Sequence, residues 1–112
     1  MEKMFDLSII IVNYNGSNFI ENCLNSIYKG THKIDFEIIL VDNHSSDNSV
    51  EIVKTKFPKV KIIQNQQNLG FCKANNLGLK IYRGRYAMLL NTDTITQDGA
   101  FDQMVDFMDR NN

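Results

Sequence analysis

Hydrophobic positions along the chain fall into two alternating kinds of segment. Leu7-Ser8-Ile9-Ile10-Ile11-Val12 and Phe36-Glu37-Ile38-Ile39-Leu40-Val41 are nearly continuous apolar runs. Val60-Lys61-Ile62-Ile63 is a shorter one, and Tyr86-Ala87-Met88-Leu89-Leu90 closes the set. Runs of this length without strict alternation predict strands covered on both faces, as in a parallel sheet. Between them apolar residues recur at helical spacing. Phe19, Ile20, Cys23, Leu24, Ile27 and Tyr28 make one stripe, with Gly30 as a stop. Asn18 followed by Glu21 resembles a capping box, expected to add about 1 kcal/mol at that helix start. A second helix starts near Ser45-Ser46-Asp47, turns Val50, Val53 and Phe57 to one face and ends at Pro58. A third runs from about Phe71 to Tyr82 with Ala74, Leu77 and Ile81 inward and Gly84 after it, and a fourth carries Phe101, Met104, Val105 and Met108. Strands alternating with helices predict an α/β fold: a mostly parallel sheet of about four strands, right-handed crossovers, and four helices on its two faces.

In such sheets ligands bind beyond the carboxyl ends of the strands, so the residues after each strand matter most. They are Asn13-Tyr14-Asn15-Gly16, then Asp42-Asn43-His44-Ser45-Ser46-Asp47, then Asn65-Gln66-Gln67-Asn68-Leu69-Gly70-Phe71, then Asn91-Thr92-Asp93-Thr94. Any one of these is ordinary turn and cap chemistry, and Ser46 and Asp47 read as caps. Four Asn/Asp-rich loops converging on one edge point instead to a ligand. Asp42, directly after Val41, can accept hydrogen bonds from a base or a ribose hydroxyl. Tyr14 can stack on a base. Asp93 is an oxygen ligand suited to Mg2+ or Mn2+, which would bridge diphosphate oxygens and stabilise them as a leaving group. Lys73, in the first turn of the third helix, can pair with a phosphate or stay solvated.

Other chemistries are excluded by what is missing. No GxGxxG follows the first strand, and Lys29-Gly30-Thr31 lacks the upstream glycine of a P-loop and sits at a helix end. His32 and His44 are too few for a zinc site. The 112 residues suffice for one domain, and a net charge of -1 gives no basic field for nucleic acid. Cys23 and Cys72 both fall on predicted helices and are expected to be buried, reduced thiols, as in a cytosolic protein. The start Met1-Glu2-Lys3-Met4-Phe5-Asp6 lacks a signal-peptide pattern, and no apolar run is long enough to cross a bilayer. The expected location is the cytoplasm, including the inner membrane surface.

Together, Ser8-Ile9-Ile10-Ile11-Val12-Asn13-Tyr14-Asn15, Ile39-Leu40-Val41-Asp42-Asn43-His44-Ser45-Ser46-Asp47, Asn68-Leu69-Gly70-Phe71 and Leu89-Leu90-Asn91-Thr92-Asp93 resemble the family 2 glycosyltransferases of GT-A fold. The likeness extends over nearly the whole chain, and within the family it is nearest the rhamnosyltransferase-like branch. The resemblance implies that Asn13 and Tyr14 hold the nucleotide base, that Asp42 contacts it, and that Asn68, Gly70 and Phe71 flank the nucleotide. Lys73 and Asn75 fall on the helix that follows. Asp93 matches the metal-binding Asp of the family's DxD motif. Asn91 replaces that motif's first Asp: its amide can reach a ribose hydroxyl but brings no charge to a metal. The family inverts: an acceptor hydroxyl, deprotonated by a carboxylate base, attacks the anomeric carbon while the nucleoside diphosphate leaves. That base lies in the family's second half, so no catalytic residue is assigned here.

Residues 1–112 are therefore expected to be the nucleotide-sugar-binding portion of a glycosyltransferase for cell-surface polysaccharide. The half that binds a saccharide or lipid-linked acceptor is expected to lie outside these residues, and transfer by this chain alone is not expected. Asp98, Asp102, Asp106 and Asp109 read as the solvated face of the last helix. A sheet cut short should leave a strand edge or apolar surface open, which a second copy could cover. A non-catalytic nucleotide-sugar-binding module fits the same residues. A receiver-type signalling domain fits the length, but Asn13-Tyr14-Asn15 stands where its acidic pair belongs. A sugar-phosphate nucleotidyltransferase would need a basic, glycine-rich loop in place of Asn15-Gly16-Ser17.

Overall fold

The computed structural model describes residues 4–111. Its elements are β1 (Phe5–Asn13), α1 (Ile20–Gly30), β2 (Phe36–Asp42), α2 (Ser49–Lys56), β3 (Lys61–Gln64), α3 (Phe71–Leu79), β4 (Gly84–Asn91) and α4 (Ala100–Arg110). The alternation of strands and helices is the one the apolar pattern predicts. The strands lie in the order β3-β2-β1-β4, and each neighbouring pair is parallel. The chain moves outward from β1 through β2 to β3, then crosses back to place β4 on the other side of β1. Right-handed crossovers in opposite directions put their helices on opposite faces.

The pleat sorts the core accordingly, because successive side chains point to opposite faces. Leu7, Ile9 and Ile11 of β1, with Ile38 and Leu40 of β2, pack against Ile20, Cys23, Leu24 and Ile27 of α1, Val53 of α2, and Phe101 and Val105 of α4. On the other face Ile10, Ile39 and Val41 meet Ala74 of α3, with Val12, Ile63 and Leu77 alongside. The contact with α3 is close: a Cβ added at Gly78 would come within 2.6 Å of Ile10 Cγ2.

Several expectations are corrected by the packing. Cover on both faces holds for β1 and β2 but not for β4, whose burial alternates along the strand. Among the described residues it is an edge strand, none of its side chains joins the core on the α3 face, and Leu89 is 45% exposed. The Asn18–Glu21 capping box does not form: α1 starts at Ile20 with no side-chain cap, the Phe19 and Ile20 N–H groups donate to the Gly16 carbonyl, and Glu21 pairs with Lys56. The second helix begins at Ser49, later than expected, because residues 45–47 bond to the β1 loop instead. The third ends at Leu79. The Ile81 and Tyr82 N–H groups turn back to the Gly78 carbonyl, leaving Ile81 outward, and Gly84 opens β4.

The cysteines differ from each other. Cys23 is buried under the sheet as expected, whereas Cys72 is exposed, because the inner face of α3 is made by Ala74, Asn75 and Gly78. A thiol reagent added to the native protein is expected to label Cys72 and to reach Cys23 only on unfolding, which mass spectrometry reads directly.

Of the four acids read as the solvated face of the last helix and its start, Asp98, Asp106 and Asp109 are exposed as expected, and only Asp102 is corrected. Asp106 is solvent-facing and pairs with Arg110 one turn on. Asp109 accepts from Arg85 Nη1 at 2.7 Å and from the Tyr86 hydroxyl at 2.8 Å. Asp102 is buried, its two oxygens accepting the backbone N–H groups of His32 at 2.9 Å and Lys33 at 2.8 Å. Burial pushes the Asp102 carboxyl up, but those backbone donors, with His32 nearby, outweigh it and hold the carboxyl below the ordinary 3.8. A depressed carboxyl adds stability above the unfolded-state value and loses it as pH falls through the folded one. The Asp102→Ala variant is expected to be about 2–3 kcal/mol less stable at pH 7. In urea titrations the gap from wild type should close as pH drops below 3.8.

Candidate functional site

The pleat decides which polar residues at the strand ends share a space. Asn13 and Asp42 are register partners on β1 and β2, and both continue the face that packs on α1 and α2. Asn13 Nδ2 donates to Asp42 Oδ1 at 2.8 Å, Ser49 Oγ at 2.8 Å and Ser45 Oγ at 3.2 Å. Asp42 also accepts from the Ser45 amide at 3.0 Å and hydroxyl at 2.6 Å. The two side chains are 0% and 3% exposed, so both expected base contacts are turned inward and the Asp42 carboxylate is occupied by protein donors. Gly16 makes room for this arrangement, since a Cβ there would collide with Asn13 Oδ1.

This buried network also orders the loops. Asn15, at a left-handed φ of 53°, accepts from the Ser46 and Asp47 N–H groups at 2.8 and 3.3 Å. The Ser17 N–H donates to Asp47 Oδ2 at 3.0 Å, and Asp47 Oδ1 accepts from the Ser49 N–H at 3.0 Å, whereas the α2 N-cap position is Asn48, without a side-chain cap, so neither Ser46 nor Asp47 is the cap expected. The β1 and β2 loops are thereby sewn together, and Tyr14 is left pointing out, 55% exposed.

The opposite face of the pleat opens into a cavity of about 470 Å3 at the carboxyl ends of β1 and β4. This is the crevice where the strand order reverses, the usual ligand position in open α/β sheets. Its walls are Val12, Tyr14, Phe19, Asn43, Asn68, Gly70, Phe71, Asn91, Thr92 and Asp93. Six residues singled out in the sequence thus meet there: Tyr14, Asn68, Gly70, Phe71, Asn91 and Asp93. Asn13 and Asp42 lie behind the wall. Lys73 faces a separate groove with Leu69, Asn76, Leu77, Leu79 and Lys80, and Asn75 is buried on the inner face of α3. Sequence reasoning missed Asn43, Thr92, Phe19 and Val12. Counting by two from the buried residues of β2 would have found Asn43, which follows Ile39 and Val41 on the α3 face.

Tyr14, Phe19 and Phe71 are each more than half exposed, offering aromatic surface on which a planar base can stack. Asn68, Asn91 and Thr92 supply uncharged donors and acceptors, and the Asn43 amide is turned to the 65–70 loop. Among the described residues Asp93 is the only acidic one lining the cavity. Beneath it Cys23 Sγ lies 3.8 Å from the Asn91 carbonyl oxygen, and burial together with the Asp93 charge pushes the thiol up to about 11. Cys23 is therefore a protonated packing residue at neutral pH and not a nucleophile.

Among the described residues no three His, Cys, Asp or Glu side chains stand close enough to hold a metal ion. Mg2+ is commonly held by one or two carboxylates, waters and substrate phosphates, without an all-protein cage. One exposed carboxylate, that of Asp93, in an open cavity fits that second kind of site.

The fold and the cavity are of the class in which doubly wound α/β domains hold nucleotides. The chain belongs to Glycosyl transferase family 2, whose family model matches residues 8–112. Among curated relatives, it is 35% identical over 116 residues to the minor teichoic acid biosynthesis protein GgaB of Bacillus subtilis, covering 96% of this chain and 13% of that protein. It is 29% identical to an uncharacterized glycosyltransferase of Haemophilus influenzae, covering 99% of this chain and 35% of the relative. Its fold superposes on S. aureus TarS in complex with UDP with a TM-score of 0.85 at 28% identity, covering 94% of this chain and 32% of that one. TarS in complex with UDP-GlcNAc matches with a TM-score of 0.85 at 27% identity, covering 94% of this chain and 31% of that one. The parallel four-stranded sheet with four helices is thus of GT-A type. The chain spans about a third or less of the length of these relatives. Among the described residues no helix is long and apolar enough to cross a membrane.

Proposed function

We propose that this chain binds the nucleotide-diphosphate sugar donor of an inverting glycosyl transfer, with the cavity between β1 and β4 as the donor site. The observation that carries the reading is the meeting of three exposed aromatic rings, three asparagines and a lone carboxylate at the switch point of a family 2 domain. Solved TarS complexes with UDP and UDP-GlcNAc support a uridine nucleotide as the donor. In this reading Tyr14 and Phe71 sandwich or flank the base, Asn68 supplies a polar contact, and Asn91 takes a ribose hydroxyl. Asn13 and Asp42 act from behind the wall by fixing the β1 and β2 loops. Asp93 would hold a Mg2+ or Mn2+ ion, which would supply positive charge to the diphosphate as leaving group.

The acceptor hydroxyl would attack the anomeric carbon as the bond to the diphosphate oxygen breaks, its proton passing to a carboxylate base. Asp93 is committed to the diphosphate, so that base is proposed to come from outside the cavity described here, in the larger architecture typical of the relatives. The Asn91-Thr92-Asp93 pattern supports the rhamnosyltransferase-like branch. The teichoic acid role named for GgaB supports a cell-surface polysaccharide as acceptor.

A metal held jointly by Asp93 and phosphate should bind only with nucleotide. The Mn2+ paramagnetic resonance signal is expected to stay that of the free ion when protein alone is added. It should fall when UDP is added as well, by more than UDP alone produces, and the Asp93→Ala variant should abolish the extra loss. Tight Mn2+ binding without nucleotide, or an unchanged response in the variant, would remove Asp93 from this role.

A further inference from the structure

Asn43 is joined to the wall of the cavity in a way that the proposed donor chemistry does not use. Its side chain is 2% exposed and stands at the end of β2 on the α3 face. Asn43 Nδ2 donates to the Gly70 carbonyl at 3.1 Å, while Oδ1 accepts from Asn65 Nδ2 at 2.9 Å and from the Leu69 N–H at 3.3 Å. One amide therefore ties both ends of the 65–70 loop to β2. The loop ends in a backbone state that needs this help. Gly70 sits at φ 83° and ψ 169°, a region essentially confined to glycine, and only its own N–H is held within the loop, by Asn68 Oδ1 at 2.9 Å. Its carbonyl also accepts the Ala74 N–H at 3.2 Å, so Asn43 bonds the peptide from which α3 departs.

We propose that Asn43 is a positioning residue: it holds the 65–70 loop in its binding shape before ligand arrives, so that Asn68 and Phe71 already line the cavity. The inference rests on the donor-site reading for its functional consequence, and on the hydrogen bonds alone for its structural one. An amide is required for both halves of the device. Aspartate keeps an acceptor for Leu69 and Asn65 but has no N–H for the Gly70 carbonyl, and alanine has neither.

The test is amide hydrogen exchange by NMR on the ligand-free chain, followed by UDP titration with Mn2+, for wild type, Asn43→Ala and Asn43→Asp. In Asn43→Ala the Leu69 amide is expected to exchange at least about tenfold faster, with the β1 amides unchanged, and UDP affinity to fall by a similar factor. In Asn43→Asp protection at Leu69 should return in large part while UDP affinity stays reduced, because the Gly70 carbonyl is still unheld. Unchanged exchange at Leu69 with reduced UDP affinity would mean that Asn43 acts only by direct contact, and would overturn the proposal. Faster exchange throughout β1 would overturn it too, as general loss of stability. Loop exchange that responds as expected in a chain that binds no UDP would keep the positioning role and reject the donor site.

Discussion

An Asp42→Ala variant is expected to be about 4 kcal/mol less stable than wild type, a large share of the roughly 5–15 kcal/mol that holds a domain together. Its carboxylate takes hydrogen bonds from Asn13 Nδ2 and from both the amide and the hydroxyl of Ser45, in a site closed to water. Alanine would strand those donors without solvent to replace the lost acceptor, and hydrogen bonds to acidic side chains contribute about 1.5–3 kcal/mol each without adding fully. Asp42→Asn keeps one acceptor oxygen and should lose about half as much. The damage should be greatest at the β1 and β2 loops, because the same network holds Ser45 against the Asn15 N–H at 2.8 Å. Urea unfolding of the three proteins gives the stabilities. If Asp42→Ala matched wild type, the buried network would carry no structural weight, and Asp42 would be free for the ligand contact first read from its position.

A Gly84→Ala variant should lose about 3 kcal/mol, and its Tm should fall by more than about 10 °C. A Cβ at Gly84 would approach Ser8 Oγ to 2.6 Å, the Ser8 nitrogen to 2.7 Å and the Leu7 carbonyl carbon to 2.8 Å. Two of these are atoms of the β1 backbone, which cannot rotate away as a side-chain tip can. The same position carries a buried polar chain: the Gly84 N–H donates to Ser8 Oγ at 2.8 Å, and Ser8 donates to Glu37 Oε2 at 2.6 Å. Glu37 Oε2 also accepts the Arg83 N–H at 2.6 Å. Pushing β4 away from β1 would break these bonds and the first pairs of the β1–β4 ladder, at the opposite end of the sheet from the cavity. A thermal scan of the variant that overlaid wild type would show that the strands can separate there at little cost.

How much of this was legible in the chain depends on how local each signal is. The runs at Leu7–Val12 and Phe36–Val41 show a buried strand without any neighbour being known, and both are strands within a residue or two of the expected ends. Tyr86–Leu90 looks the same in sequence, yet its burial depends on what lies beside it, and at a sheet edge half of it is open. Asp98, Asp102, Asp106 and Asp109 have the spacing of a solvated helix face. That Asp102 instead meets the His32 and Lys33 amides follows from a contact 70 residues away in sequence, which no local pattern contains.

The loops at the carboxyl ends were placed correctly as a group because chain direction in a parallel sheet determines them. Within a group, one residue of register separates an inward from an outward side chain. Asp42 drew attention as the polar residue that ends β2, but the pleat turns it toward Asn13 and Ser45 and places Asn43 at the cavity wall. Thr92 and Phe19 reach the cavity through turn geometry, which residue type alone does not specify. Lys73 is one helical step from Gly70 and Phe71 but leans over the far side of α3.

In the proposed account the cavity between β1 and β4 is a nucleotide site completed by a metal at Asp93. Isothermal titration of UDP into the folded chain, with and without Mn2+, tests it most directly. The expected result is saturable binding at one site per chain in the presence of Mn2+, at least about tenfold weaker without the metal or in the Asp93→Ala variant, a difference of roughly 1.4 kcal/mol. No heat of binding from UDP or dTDP in either condition, from protein shown to be folded by circular dichroism, would contradict it.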